Sequence, residues 1–131
     1  IGTLNGNPVA CAAGLATLDI LKQDGVYDGI FDTGRKVMKG LQDILDNSEI
    51  PGKVVGESVL FDVFFTSEEI YDYRSALKAD SQKLSRFNQL LLEHGVLKGS
   101  TKFYFSTEHD DKDVERTLAA FGEVIEIMRS E

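Results

Sequence analysis

The sequence predicts an α+β fold, a small and mostly antiparallel sheet of short strands covered by helices and preceded by a bridging helix. Three observations carry that expectation. The periodicities run in the order two helices, two strands, helix, two strands, helix. The strand-like stretches are brief, and each pair is followed by a helix that must cover one face of a sheet. The first helix is apolar nearly all round, the mark of an element buried on most sides. A chain of 131 residues with 42% hydrophobic side chains is long and apolar enough to build one folded core.

The elements follow in order. Asn7-Pro8 is a helix start, with an Asn cap and a proline at the first helical position. The helix runs to about Gln23, with Val9, Ala12, Ala13, Ala16 and Ile20 along one side and Cys11, Leu15, Leu18 and Leu21 along another. After Asp24-Gly25 a second helix extends to about Asn47 on a stripe of Ile30, Val37, Leu41, Ile44 and Leu45. Gly29, Gly34 and Gly40 each cost it roughly 1 kcal/mol relative to alanine, so packing must hold it together. Ile50-Pro51-Gly52 is a break. Val54-Val55 reads as a short strand and Ser58 to Thr66 as a longer one, with Val59, Phe61, Val63 and Phe65 on one face.

Residues 67–79 read as a surface excursion with one helical turn. A third helix begins at Asp80 or Ser81, carries Leu84, Phe87, Leu90 and Leu91, and stops at Gly95, a suitable C′ residue. Val96-Leu97 reads as a short strand and Lys102 to Ser106 as another. Asp110 caps the last helix with Asp113 in capping-box position, ahead of the stripe Val114, Thr117, Leu118, Phe121, Ile125 and Met128.

Composition excludes several functions. A net charge of −8, with basic residues scattered singly, opposes binding to nucleic acid or to an anionic membrane surface. The single cysteine, Cys11, rules out an internal disulfide and a cysteine-built zinc site, and fits a reducing, cytosol-like compartment. His94 reads as a helix C-terminal cap and His109 as a turn residue, neither with a partner at metal-ligand spacing, so no metal site is expected. Ser106, His109 and Asp110 are too close in sequence to converge as a hydrolytic triad. The carboxylate runs read as solvated surface. The chain opens on Ile1 rather than methionine, which suggests a piece of a longer protein.

The strongest chemical signal is Gly2-Thr3-Leu4-Asn5-Gly6-Asn7-Pro8. Two glycines around a threonine, ahead of a helix start, bring together backbone N–H groups, a hydroxyl and a positive helix end. These are the parts of an anion or phosphate site, although a plain Gly-rich helix cap would use the same residues.

This heptapeptide resembles the Gly-Thr-x-x-Gly-Asn-Pro segment of the class III aminotransferases, most closely their glutamate-1-semialdehyde aminomutase branch. The likeness continues through Val9–Leu18, Leu60–Thr66, Phe87–Val96, Lys102–Ser106 and His109. It implies the C-terminal part of a fold-type I, pyridoxal-phosphate-dependent homodimer, in the cytoplasm, acting on a small amino-acid or amino-aldehyde substrate. It divides the chain into residues 1–24, a phosphate-contact loop and bridging helix belonging to a large domain, and residues 25–131, a small C-terminal α+β domain. It assigns Gly2 and Thr3 to the phosphate of the neighbouring subunit's cofactor. The reaction implied is amino-group transfer with the cofactor cycling through its pyridoxamine form. The Schiff-base lysine and the aspartate partner of the pyridine nitrogen lie upstream in that family, so no catalytic residue is expected here. The nine lysines of this sequence are expected to be solvated surface charges. Leu97-Lys98-Gly99-Ser100-Thr101 and Thr107-Glu108 depart from the family's pattern, and both stretches bear on substrate choice. Alternative readings are an ω- or β-amino-acid aminotransferase, a free-standing non-catalytic interaction domain, or a piece that pairs with a separately encoded large domain.

Overall fold

A computed structural model describes residue 2 and residues 4–131. The element order is α1 (Pro8–Leu21), α2 (Val26–Asp46), β1 (Lys53–Glu57), β2 (Leu60–Phe64), α3 (Tyr73–Ala76), α4 (Ser81–Glu93), β3 (Phe103–Tyr104) and α5 (Asp111–Ser130). The three strands form one antiparallel sheet in the order β1-β2-β3, with α2, α4 and α5 supplying the helical side of the core. This is the expected α+β arrangement.

The core is aromatic at its centre. Phe61 of β2 stacks on Phe103 of β3 with centroids 5.0 Å apart. Phe121 of α5 meets Phe103 edge-on at 5.5 Å and Phe87 of α4 at 6.0 Å. All four are buried, and Val37, Leu41 and Leu45 of α2 close the other side. Offset and edge-to-face contacts of this kind add to the burial of the rings.

Two of the three glycines of α2 owe their place to close approach. A Cβ on Gly34 would collide with the Ser58 carbonyl in the β1–β2 turn, and one on Gly40 would strike the Leu118 side chain of α5. Gly29 meets nothing within 4 Å, so packing accounts for only part of the glycine content.

Helix boundaries follow the caps read from sequence. Asp80 accepts from Gln82 N and Lys83 N, and Asp110 forms a full capping box with Asp113. The strand expectations need three corrections. Glu57 pairs with Leu60, which leaves Ser58 and Val59 as the connection of a hairpin rather than the start of β2. Val96-Leu97 is not a strand. Gly95 (φ 82°) donates to Leu92 O, and Val96 N donates to Leu91 O at 2.8 Å, completing a Schellman motif. That helix stop consumes the N–H a strand would need. The last strand shrinks to Phe103–Tyr104 because β2 offers only Leu60 and Phe61 as partners, and Phe105 N turns to Val59 O instead.

Helix α1 is apolar nearly all round, as its sequence indicates, and it carries that surface bare: it has no buried residue, and Val9, Leu15, Leu18 and Ile20 are each at least half exposed. Nothing among the described residues supplies a surface to cover it.

Candidate functional site

Of the two expected phosphate-contact residues, Thr3 lies outside the described residues. Gly2 is exposed. A Cβ added to Gly2 would displace the exposed Asn5 carboxamide, whose carbon lies 2.8 Å away. The turn is closed by Asn5 N donating to Gly2 O and Asn7 N donating to Leu4 O.

The positive end of α1 is less available than its sequence suggests. Asn7 Oδ1 accepts from Ala10 N at 2.9 Å, while Asn7 Nδ2 donates to Leu4 O at 2.8 Å. The cap therefore takes up Ala10 N, and Pro8 at the first helical position has no N–H to offer. Gly2 leaves exposed backbone without a side chain ahead of the helix.

The histidines behave as structural residues. His94 is the C-cap of α4, with Nδ1 2.8 Å from Leu90 O. His109 turns back on its own loop, where its Nδ1 accepts from Ser106 N at 3.1 Å and its ring packs on Phe105. Asp110 is occupied by Lys112 N and Asp113 N. Ser106, His109 and Asp110 are therefore neighbours in a turn and not a triad. Among the described residues no group of acidic, histidine or cysteine side chains could hold a metal, and no helix is long and apolar enough to cross a membrane.

Eight of the lysines are exposed or half-buried at the surface, several paired there with carboxylates. Lys98 overturns the expectation for the ninth. Its side chain is 2% exposed and its Nζ donates to Asp62 Oδ1 at 3.2 Å and Asn88 Oδ1 at 2.9 Å. The amine also lies 4.8 Å from the centre of the Phe103 ring. Asp62, 3% exposed, accepts a second bond from Val63 N at 2.9 Å. Burial pushes the Asp62 carboxyl above its usual range, against the opposing pull of Lys98 and the Val63 amide. The same burial pushes the Lys98 ammonium below its usual value, against the attraction of Asp62. One signal in the sequence announces this pair: a lone carboxylate in Leu60-Phe61-Asp62-Val63-Phe64 needs a cation once its strand is covered.

Three antiparallel strands covered by α2, α4 and α5, with an uncovered helix ahead of them, give the α+β fold found in solved transaminases. The family model described as aminotransferase class-III matches residues 1–109, and the chain belongs to that family. Among its relatives is the glutamate-1-semialdehyde 2,1-aminomutase of Methanopyrus kandleri, 37% identical over 128 residues, which make up 95% of this chain and 30% of the relative. The Thermus thermophilus enzyme of the same name matches to the same degree over the same shares. Similar solved structures include an omega-transaminase from Sphaerobacter thermophilus, with TM-score 0.85 and 25% identity over 96% of this chain and 29% of that one. A glutamate-1-semialdehyde aminomutase from Pseudomonas aeruginosa shares the fold with TM-score 0.83 at 20% identity, over 96% of this chain and 28% of that one. The chain thus spans about 30% of the length of the curated relatives it matches.

Proposed function

We propose that the protein carrying these residues is a pyridoxal-phosphate-dependent enzyme of the glutamate-1-semialdehyde 2,1-aminomutase type, moving an amino group between carbons of one small substrate. The observation that carries the reading is the 37% identity to aminomutases over nearly the whole chain. The fold does not separate aminomutase from transaminase, since solved examples of both superpose with TM-scores of 0.83 and 0.85.

In this reading residues 1–24 belong to the large domain and residues 25–131 form the small one. The bare apolar sides of α1 support that division, because a bridging helix needs a partner on each side. Gly2 and Thr3 hold the cofactor phosphate of the neighbouring subunit in a cytoplasmic homodimer, Gly2 by keeping the turn open and Thr3 by its hydroxyl. Pyridoxal phosphate, when bound, supplies an electron sink for the bond broken at the amine-bearing carbon. The chain itself supplies no reacting lysine. Seating the phosphate and closing one side of the substrate pocket are its tasks.

The test is turnover of glutamate-1-semialdehyde, with no external amino acceptor, by the full-length protein that carries these residues. Turnover supports the aminomutase. Its absence, with turnover of a β-amino acid plus pyruvate, replaces it with an ω- or β-amino-acid aminotransferase. Absence of both activities refutes the enzymatic reading and leaves the interaction domain.

A further inference from the structure

Lys98 sits in Val96–Thr101, a stretch without a helix or strand to fix its shape. Three side-chain bonds fix it instead. Lys98 Nζ reaches across to Asp62 on β2 and Asn88 on α4, and Asn88 Nδ2 donates back to Ser100 O at 2.9 Å. The segment is therefore held at two points either side of Gly99, by a strand and a helix that belong to the core. The network is complete: among the described residues no buried side-chain nitrogen or oxygen lacks a partner.

A buried ion pair is a poor way to gain stability, because the two charges lose about as much by leaving water as they recover from each other. What it gives is one defined geometry. The geometry here frames a cavity of about 130 Å³ whose lining includes Leu97, Lys98, Phe103, Tyr104, His109 and Thr117. Leu97 and Tyr104, at 84% and 66% exposure, stand free beside it. Apolar and aromatic walls with a few polar groups are the usual lining of a small-molecule site. The size suits a group of a few carbons, given that an apolar cavity of ~150 Å³ accepts benzene. The larger hollow of about 420 Å³ around Asp46, Glu49 and Pro51 has a loop wall too, held by Gln42 and Ser48, but no buried charged group stands in its lining.

We infer that Lys98, held by Asp62 and Asn88, is a positioning residue that fixes Leu97–Thr101 as the wall of a subsite for the short carbon chain of the amino substrate. This rests on the aminotransferase-type function proposed above and names the part of its substrate that this chain recognises. Lys98 touches no reacting atom; it acts through Leu97 and Ser100. The amine is too enclosed by Asp62, Asn88 and Phe103 to be a nucleophile.

The experiment uses the full-length protein that carries these residues, with glutamate-1-semialdehyde or a β-amino acid plus pyruvate as substrate, whichever the wild type turns over. The variants are Lys98→Met with Asp62→Leu together, which keeps the packing and removes both charges, and Asn88→Ala, which releases Ser100 from a half-buried position. The expected result for the double variant is a KM for the amino substrate raised about tenfold with kcat within about twofold of wild type. Faster hydrogen exchange confined to Leu97–Thr101 is expected alongside it, and Asn88→Ala should move both readouts the same way by less. A folded double variant with wild-type KM and wild-type exchange overturns the proposal while leaving the enzymatic function intact. A wild type that turns over neither substrate overturns the function, and this inference with it. A kcat that falls with KM unchanged is also contrary to it, because that result would make Lys98 part of the reacting machinery.

Discussion

Removing one member of the Lys98–Asp62 pair, then both, gives a stability series with a worked sign. Lys98→Met leaves a carboxylate that is 3% exposed, with Val63 N as its remaining donor. Breaking a buried pair in this way costs about 3–5 kcal/mol. Adding Asp62→Leu removes the stranded charge, and replacing a buried pair by well-packed apolar side chains is neutral or stabilising by about 1–4 kcal/mol. The double variant is therefore expected to be at least as stable as wild type. The pH dependence follows from the two shifts. Asp62 titrates above its usual 3.8 in the folded state, so its contribution is fullest below that value and is lost as pH rises through the raised one. Lys98 titrates below its usual 10.5, so the folded state gains relative stability as pH rises through that lowered value towards 10.5. Between the two, wild type carries the full cost of two buried charges, and the double variant should exceed it most there. Urea unfolding followed by far-UV circular dichroism from pH 3 to pH 11 reads the difference, since these residues contain no tryptophan. A double variant several kcal/mol less stable than wild type at neutral pH would refute the reasoning.

Three further outcomes are expected. Phe121→Ala, which removes a fully buried ring between Phe87 and Phe103, should destabilise by about 3–5 kcal/mol in the same assay. Gly34→Ala forces a methyl against the Ser58 carbonyl and should cost about 1–3 kcal/mol despite alanine's better helix propensity; a gain would mean that α2 can shift away from the hairpin. Residues 1–131 mixed with pyridoxal phosphate and reduced with borohydride should show no stoichiometric adduct at any single lysine by peptide mass mapping, because the surface amines have no site around them and Lys98 is enclosed.

What the sequence made legible is what it decides locally. Asp80, Gly95 and Asp110 lie within a few residues of the amides and carbonyls they satisfy, and each ends or begins a helix where expected. The strand at Val96-Leu97 was misread for a local reason too, since two apolar residues after a helix suit a Schellman stop as well as a strand. Features settled by partners far along the chain were not legible. Lys98 lies 36 residues from Asp62, and in Leu97-Lys98-Gly99-Ser100 it reads as an ordinary surface loop residue. The Asn7 cap of α1, by contrast, is local and legible in the sequence, and its Oδ1 accepts from Ala10 N. The apolar periphery of α1 was correctly identified from sequence, but what covers it is not among these residues.

The placement of α5 has a consequence for synthesis. It follows every strand in the chain, yet its Phe121 is the ring that touches both Phe87 and Phe103, and Glu131 just beyond it pairs with Arg86 of α4. Until Asp111–Ser130 is made, α2 covers one side of the core, but Phe87 and Phe103 lack the ring that packs against both. A nascent chain stopped short of Phe121 would present those rings to chaperones and proteases, so α5 decides whether this core escapes inspection.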